Sequence, residues 1–113
     1  MTVEDNASID AVGVSMDTGA VMLSIIDPLP WDRHHLELLQ EKLNTYLGFI
    51  ESGEIYTAYP DAKGRELCIS LVTKFRPDDE AEAFILRARS VVEMYGATLN
   101  HQPAGAGYSD DHA

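Results

Sequence analysis

Asp32, His34 and His35 are the first residues whose types could do chemistry, since a carboxylate and two imidazoles can hold a metal or carry protons. Their spacing argues against both roles. Neighbours on a helix point about 100° apart, so His34 and His35 diverge. Asp32 and His35 stand at i and i+3 and could share an ion, but Asp32 occupies the position expected of a helix N-cap. No HExxH or comparable ligand spacing occurs. The pair reads as surface histidines near a helix start.

Cys68 is the sole cysteine, so it has no intrachain disulfide partner. A thiolate nucleophile needs a base, and His101 could reach Cys68 only if the last strand pairs beside it. A cysteine within an alternating strand reads more simply as a small sheet-face residue. Trp31, Tyr46, Tyr56 and Tyr59 supply aromatic material around one helix and its exit loop. Such residues suit interfaces, but core and staple packing is the preferred reading, with Trp31 placed just before the cap as a staple would be. Asp17-Thr18-Gly19 and Asp61-Ala62-Lys63-Gly64 are turns, because neither puts a glycine-rich run between a strand and a helix as a phosphate loop requires. Asp110-Asp111-His112 reads as solvated end sequence. No catalytic set, metal site or cofactor motif is read from the chain.

The elements that would position these residues follow from periodicity. Val12, Val14 and Met16 alternate with small residues, and Val21, Leu23 and Ile25 alternate after Gly19. This predicts a β-hairpin, with strands near 10–16 and 20–26. Asp27-Pro28-Leu29-Pro30 ends the second strand, since proline cannot donate to a ladder. Leu36, Leu39, Leu43, Tyr46, Leu47 and Ile50 mark one face of a helix. Glu37 and Glu41 lie on its more polar side, and Glu37 stands five residues from Lys42, a poor spacing for a helix pair. Gly53 stands where a C′ glycine would stop it, and Gly48 lies inside, either tolerated or admitting a close backbone. Glu54–Tyr59 reads as a short edge strand or an extended loop. Glu66 to Phe75 is the clearest strand. Pro77-Asp78-Asp79-Glu80 opens a second helix, which Gly96 ends, and Ala97 to His101 makes a last strand.

The order β-β-α-(β)-β-α-β predicts an α+β fold: a mostly antiparallel sheet with two helices packed on one face. The expected organisation is a flexible N-terminus (1–8), one domain (9–101) and a disordered tail (102–113). The other sheet face would carry Met22, Ser24, Ile26, Cys68, Ser70, Val72, Thr98 and Asn100, a set too apolar for a plainly solvated surface.

Composition narrows the classes of function. At 113 residues this is one domain, large enough for a core without staples. Nineteen acids against eight bases give a net charge of -11. That repels phosphate backbones and anionic membranes and would attract a basic partner. No signal peptide or apolar run long enough to span a bilayer is read, so the expected compartment is the cytoplasm.

The segments LELLQEKLNTYLGFIESGEIYTAYPDAKGRELCISLV resemble a family of small uncharacterised bacterial proteins, a domain of unknown function with an LLQEK, IESGEI and YPDAKGR core. The resemblance runs from about Ile9 to Leu99. It implies a bacterial source and the α+β fold, and it lends no catalytic residue.

The functional expectation is a non-enzymatic accessory module acting through protein contacts, as a homodimer or with a protein partner. One version is an immunity-type inhibitor of a basic toxin. The expected binding residues are Met22, Ile26, Cys68 and Val72 on the sheet face, with Tyr56 and Tyr59 in the exit loop. The alternative is a small-molecule-binding or enzymatic domain, with His35, Tyr56, Tyr59, Lys63 and Arg65 around a site where the Tyr56–Arg65 loop meets the helix start.

Overall fold

The computed structural model describes residues 9–103. The expected loose N-terminus and most of the expected tail lie outside them. Strand β1 (Ala11–Val14) and strand β2 (Val21–Asp27) form the hairpin. Gly19 takes φ +77° at its turn, and its N–H bonds the Ser15 carbonyl at 2.8 Å. Helix α1 (Arg33–Glu51) follows, capped by Asp32, whose side chain accepts from His35 N–H at 2.8 Å. Gly53, at φ +78°, then reverses the chain.

The next segment departs from expectation. Glu54–Ala58 is a short helix, α2, followed by a 3-10 turn at Pro60–Ala62. The left-handed Gly53 lets the chain re-enter a helical turn. Ile55 is buried, and its carbonyl takes the Tyr59 N–H at 2.8 Å. Strand β3 (Leu67–Thr73), helix α3 (Asp79–Met94, capped by Asp78) and strand β4 (Ala97–Pro103) complete the domain.

The four strands lie in the order β1-β2-β3-β4. The α+β class holds, but the sheet is mixed rather than mostly antiparallel. β1 and β2 are antiparallel; β2 with β3, and β3 with β4, are parallel. The cause is the two intervening helices. A strand, a crossover helix and a neighbouring strand make a βαβ unit, which returns the chain in the same direction. Such crossovers are right-handed. Two in succession along one sheet direction therefore put α1 and α3 on the same face. The core confirms it: Val21, Leu23, Ile25, Leu67, Ile69, Leu71, Ala97 and Leu99 meet Leu39, Leu43, Tyr46 and Leu47 of α1 and Ile85 and Val92 of α3.

Gly48 admits no close backbone, because a Cβ built there meets nothing within 4 Å. It is a plain helix-interior cost. Gly48→Ala is expected to stabilise the fold by about 1 kcal/mol, read as a raised urea midpoint at unchanged slope.

Candidate functional site

Three regions hold the side chains singled out by sequence. The first is the sheet face opposite the helices. The register carries Met22 beside Cys68 and Thr98, Ser24 beside Ser70 and Asn100, and Ile26 beside Val72 and Gln102. Ala11 and Gly13 extend these rows on β1. Ten of these side chains, with Gly13, make a surface that contains no charged residue, on a chain of net charge -11. No described helix packs over it. Met22 and Val72 are half-buried and Ile26 is 38% exposed. Cys68 and Ser70, on a central strand, are shielded by their neighbours. The Asn100 amide donates to Cys68 Sγ at 3.2 Å, and the Gln102 amide comes within 3.5 Å of Ser70 Oγ.

β4 does pair beside β3, yet register defeats a Cys68–His101 dyad. Cys68 stands opposite Thr98 while His101 stands opposite Leu71, so the thiol and the imidazole occupy opposite faces.

The second region is the exit of α1. Tyr56 and Tyr59 pack against the core on the helix side, away from the sheet-face residues. The expected binding set is thus divided between two layers. The alternative site is not assembled either. His35 lies at the start of α1 and the Tyr56–Arg65 loop beyond its end, and a helix of 19 residues is about 28 Å long. Arg65 serves the fold: its Nε donates to Asp61 O and its Nη1 to Gly19 O, both at 2.9 Å, tying the loop to the hairpin turn.

The third region escaped the sequence reading. Asp27, Thr73 and His101 all face the core at the carboxyl ends of the parallel strands. His35 is not a surface residue; it is 1% exposed, and its Nε2 meets Asp27 Oδ2 at 2.5 Å. Its Nδ1 lies 2.9 Å from the Pro30 carbonyl, which can only accept, so Nδ1 carries a proton. One further proton lies between Nε2 and the carboxylate. The Trp31 ring stacks on His35 at 4.0 Å, and its Nε1 donates to Phe75 O at 3.0 Å, closing the cluster from outside. Thr73 Oγ1 lies 2.8 Å from His101 Nε2, but Thr73 is itself buried, so this hydroxyl–imidazole contact presents no nucleophile to a substrate. Burial, and then the Arg89 guanidinium, hold the His101 imidazole below its ordinary pKa, against an opposite pull from Asp27 and Glu82.

A second buried pair lies at mid-helix. Lys42 is fully buried, and its Nζ donates to Asp10 Oδ1 at 2.6 Å. Asp10 Oδ2 accepts from Ile26 N–H, and Tyr46 Oη donates to the Ser24 carbonyl while accepting from Asp10 N–H. Burial pushes the Tyr46 phenol above its usual range, which keeps it a neutral donor.

The signals for these groups were present in strand parity. Asp27 continues the inward positions 21, 23 and 25; Thr73 continues 67, 69 and 71; His101 continues 97 and 99. Lys42 lies three residues after Leu39 and four before Tyr46, on the inward face of α1. Among the described residues no three histidine, cysteine or acidic side chains gather as metal ligands, and no helix is long and apolar enough to cross a membrane.

The chain matches a family model over residues 1–105. It belongs to DUF6572, a family of unknown function. Comparison with curated proteins and with solved structures returned no match. The buried polar contacts of this DUF6572 member include the His35–Asp27 and Lys42–Asp10 pairs, and its most unusual surface is the charge-free sheet face.

Asp27→Ala leaves the buried His35 Nε2 without its hydrogen-bond partner, and a stability loss on the order of 3 kcal/mol is expected from urea denaturation. Trp31, the sole tryptophan, will report the change through an altered folded-state emission. His101 gives the pH test. A histidine whose folded pKa lies below the unfolded value of about 6.5 binds protons better when unfolded, so stability falls as pH drops through that value. In His101→Gln the fall between pH 7.5 and 5.5 is expected to be shallower than in the parent, measured by urea melts.

Proposed function

We propose that this protein is a non-enzymatic interaction module whose docking surface is the open sheet face, and that the surface pairs with a second copy of itself. The observation that supports the reading is the charge-free face on a strongly acidic chain. Parallel strands are ordinarily covered on both faces, and here the described helices cover one. A basic partner would seek the carboxylates, which lie elsewhere on the surface. A neutral face fits another neutral face, and a two-fold axis makes it complementary to itself. Sheets packed this way lie about 10 Å apart with their inner side chains interdigitated. Met22, Ile26 and Val72 are the apolar contacts; Ser24, Asn100 and Gln102 are the polar ones.

Size sets the strength. Four strands of roughly seven residues project only about 400 Å². That is below the roughly 800 Å² per partner of a standard stable interface, so the association is weak and concentration-dependent. Charge sets the salt response. Two copies each of charge -11 repel, and salt screens that repulsion beyond about 8 Å at physiological strength.

Sedimentation at 10 µM to 1 mM protein is expected to show a monomer–dimer equilibrium that tightens from about 20 to 300 mM salt, as this screening requires. Val72→Glu, at a half-buried surface position, is expected to leave the protein folded and monomeric throughout. A strict monomer at every concentration counts against self-pairing. A complex with a basic protein that loosens with salt favours the immunity-type reading instead.

A further inference from the structure

The helix layer carries an independent feature. Residues of α1 and α3 line a groove of about 370 Å³ between the two helices. Buried Leu43, Leu47 and Val92 form its floor, and the partly exposed Phe84 and Val91 form its wall. Its polar members are Gln40, Asn44 and Arg87. On a chain with nineteen acids, no carboxylate is among the described lining residues. Arg87 is the one charged residue there. It is exposed and forms no ion pair with another described residue.

We propose that this groove binds a small amphipathic carboxylate: an unbranched hydrocarbon chain along Leu43, Leu47 and Val91, with its carboxylate on Arg87. The volume lies within the roughly 300–1,000 Å³ of small-molecule sites. The polarity is that of such a site, an apolar lining with a few groups that fix orientation. Arg87 selects the head group. A planar guanidinium matches a carboxylate through two parallel hydrogen bonds, and the Asn44 and Gln40 amides add neutral donors nearby. A cationic amphiphile would meet repulsion from Arg87 and gain no counter-charge within the lining. An uncharged hydrocarbon would leave the guanidinium unused. The ligand carries a single negative charge, because the surrounding net charge of -11 opposes more highly charged anions more strongly.

The test is a two-dimensional NMR titration of the full chain with decanoate, kept below micelle-forming concentration, with decyltrimethylammonium as the charge-reversed amphiphile of equal chain length. Saturable shifts confined to the methyl groups of Leu43, Leu47, Val91 and Val92 are expected with decanoate. Binding at least tenfold weaker is expected for decyltrimethylammonium, and for decanoate with the Arg87→Glu variant. Arg87 is exposed, so the variant is expected to keep the parent's amide spectrum. A second variant, Val91→Trp, fills the groove without altering charge and is expected to abolish binding. Equal binding of both amphiphiles, indifference to Arg87→Glu, or decanoate shifts on the sheet face rather than the groove would each overturn the proposal. So would decanoate leaving the groove unmoved, including the case where these methyls respond only to a protein partner.

Discussion

The handedness of a crossover connection governs this molecule. β2 to β3 and β3 to β4 are each joined through a helix, and each join moves one strand along the sheet in the same direction. A right-twisted strand feeding a right-handed helix packs back on the sheet in only one sense. Both helices therefore arrive on one face. The hairpin adds a strand at the edge and no further cover. A two-layer domain follows, with one face of its sheet dry and the other left to side chains alone. The identity of those side chains then becomes the molecule's most telling surface property. Small, amide and apolar residues fill every position there, although a quarter of the chain is charged.

Helix α1 is seated on the sheet by more than apolar contact. At its first turn His35 reaches Asp27 at the end of β2, and at its middle Lys42 reaches Asp10 ahead of β1. Each pair has further hydrogen bonds that satisfy the remaining polar atoms: Pro30 O for His35, Ile26 N–H for Asp10. Buried charges are tolerated only with such completion. Apolar packing is forgiving of small slides and rotations, whereas a donor matched to one carboxylate oxygen is not. The two pairs thus fix the helix along its length and about its axis. The groove depends on that seating, because α1 supplies one of its two sides, through Gln40, Leu43, Asn44 and Leu47.

The uncharged sheet face and the groove lie on opposite layers and draw on different residues. One is a broad, neutral surface suited to another sheet. The other is a narrow cleft with a single cation. Their separation means that occupation of one does not obstruct the other.

The long helices and the strands are determined by the sequence alone. Pro28 after Asp27, the Asp32 and Asp78 caps, and the glycines at 19, 53 and 96 are local instructions, read within a few residues of where they act. The sequence also determined which strand residues share a face, since alternation needs no partner. Tertiary structure alone decided the rest. Parallel pairing arose from how helices return a chain, a relation between segments 46 and 30 residues apart. His35 reads as a surface histidine because its partner is eight residues away across a turn with two prolines, and the Lys42–Asp10 pair has no local signal because the two are thirty-two residues apart. Glu54–Ala58 became a helix because Ile55 had a core to enter. The physical reason is common to all of them. Backbone preference and periodicity act over one or two turns of chain, whereas the desolvation of a charge and the choice of a sheet partner are settled only by what the folded chain brings alongside.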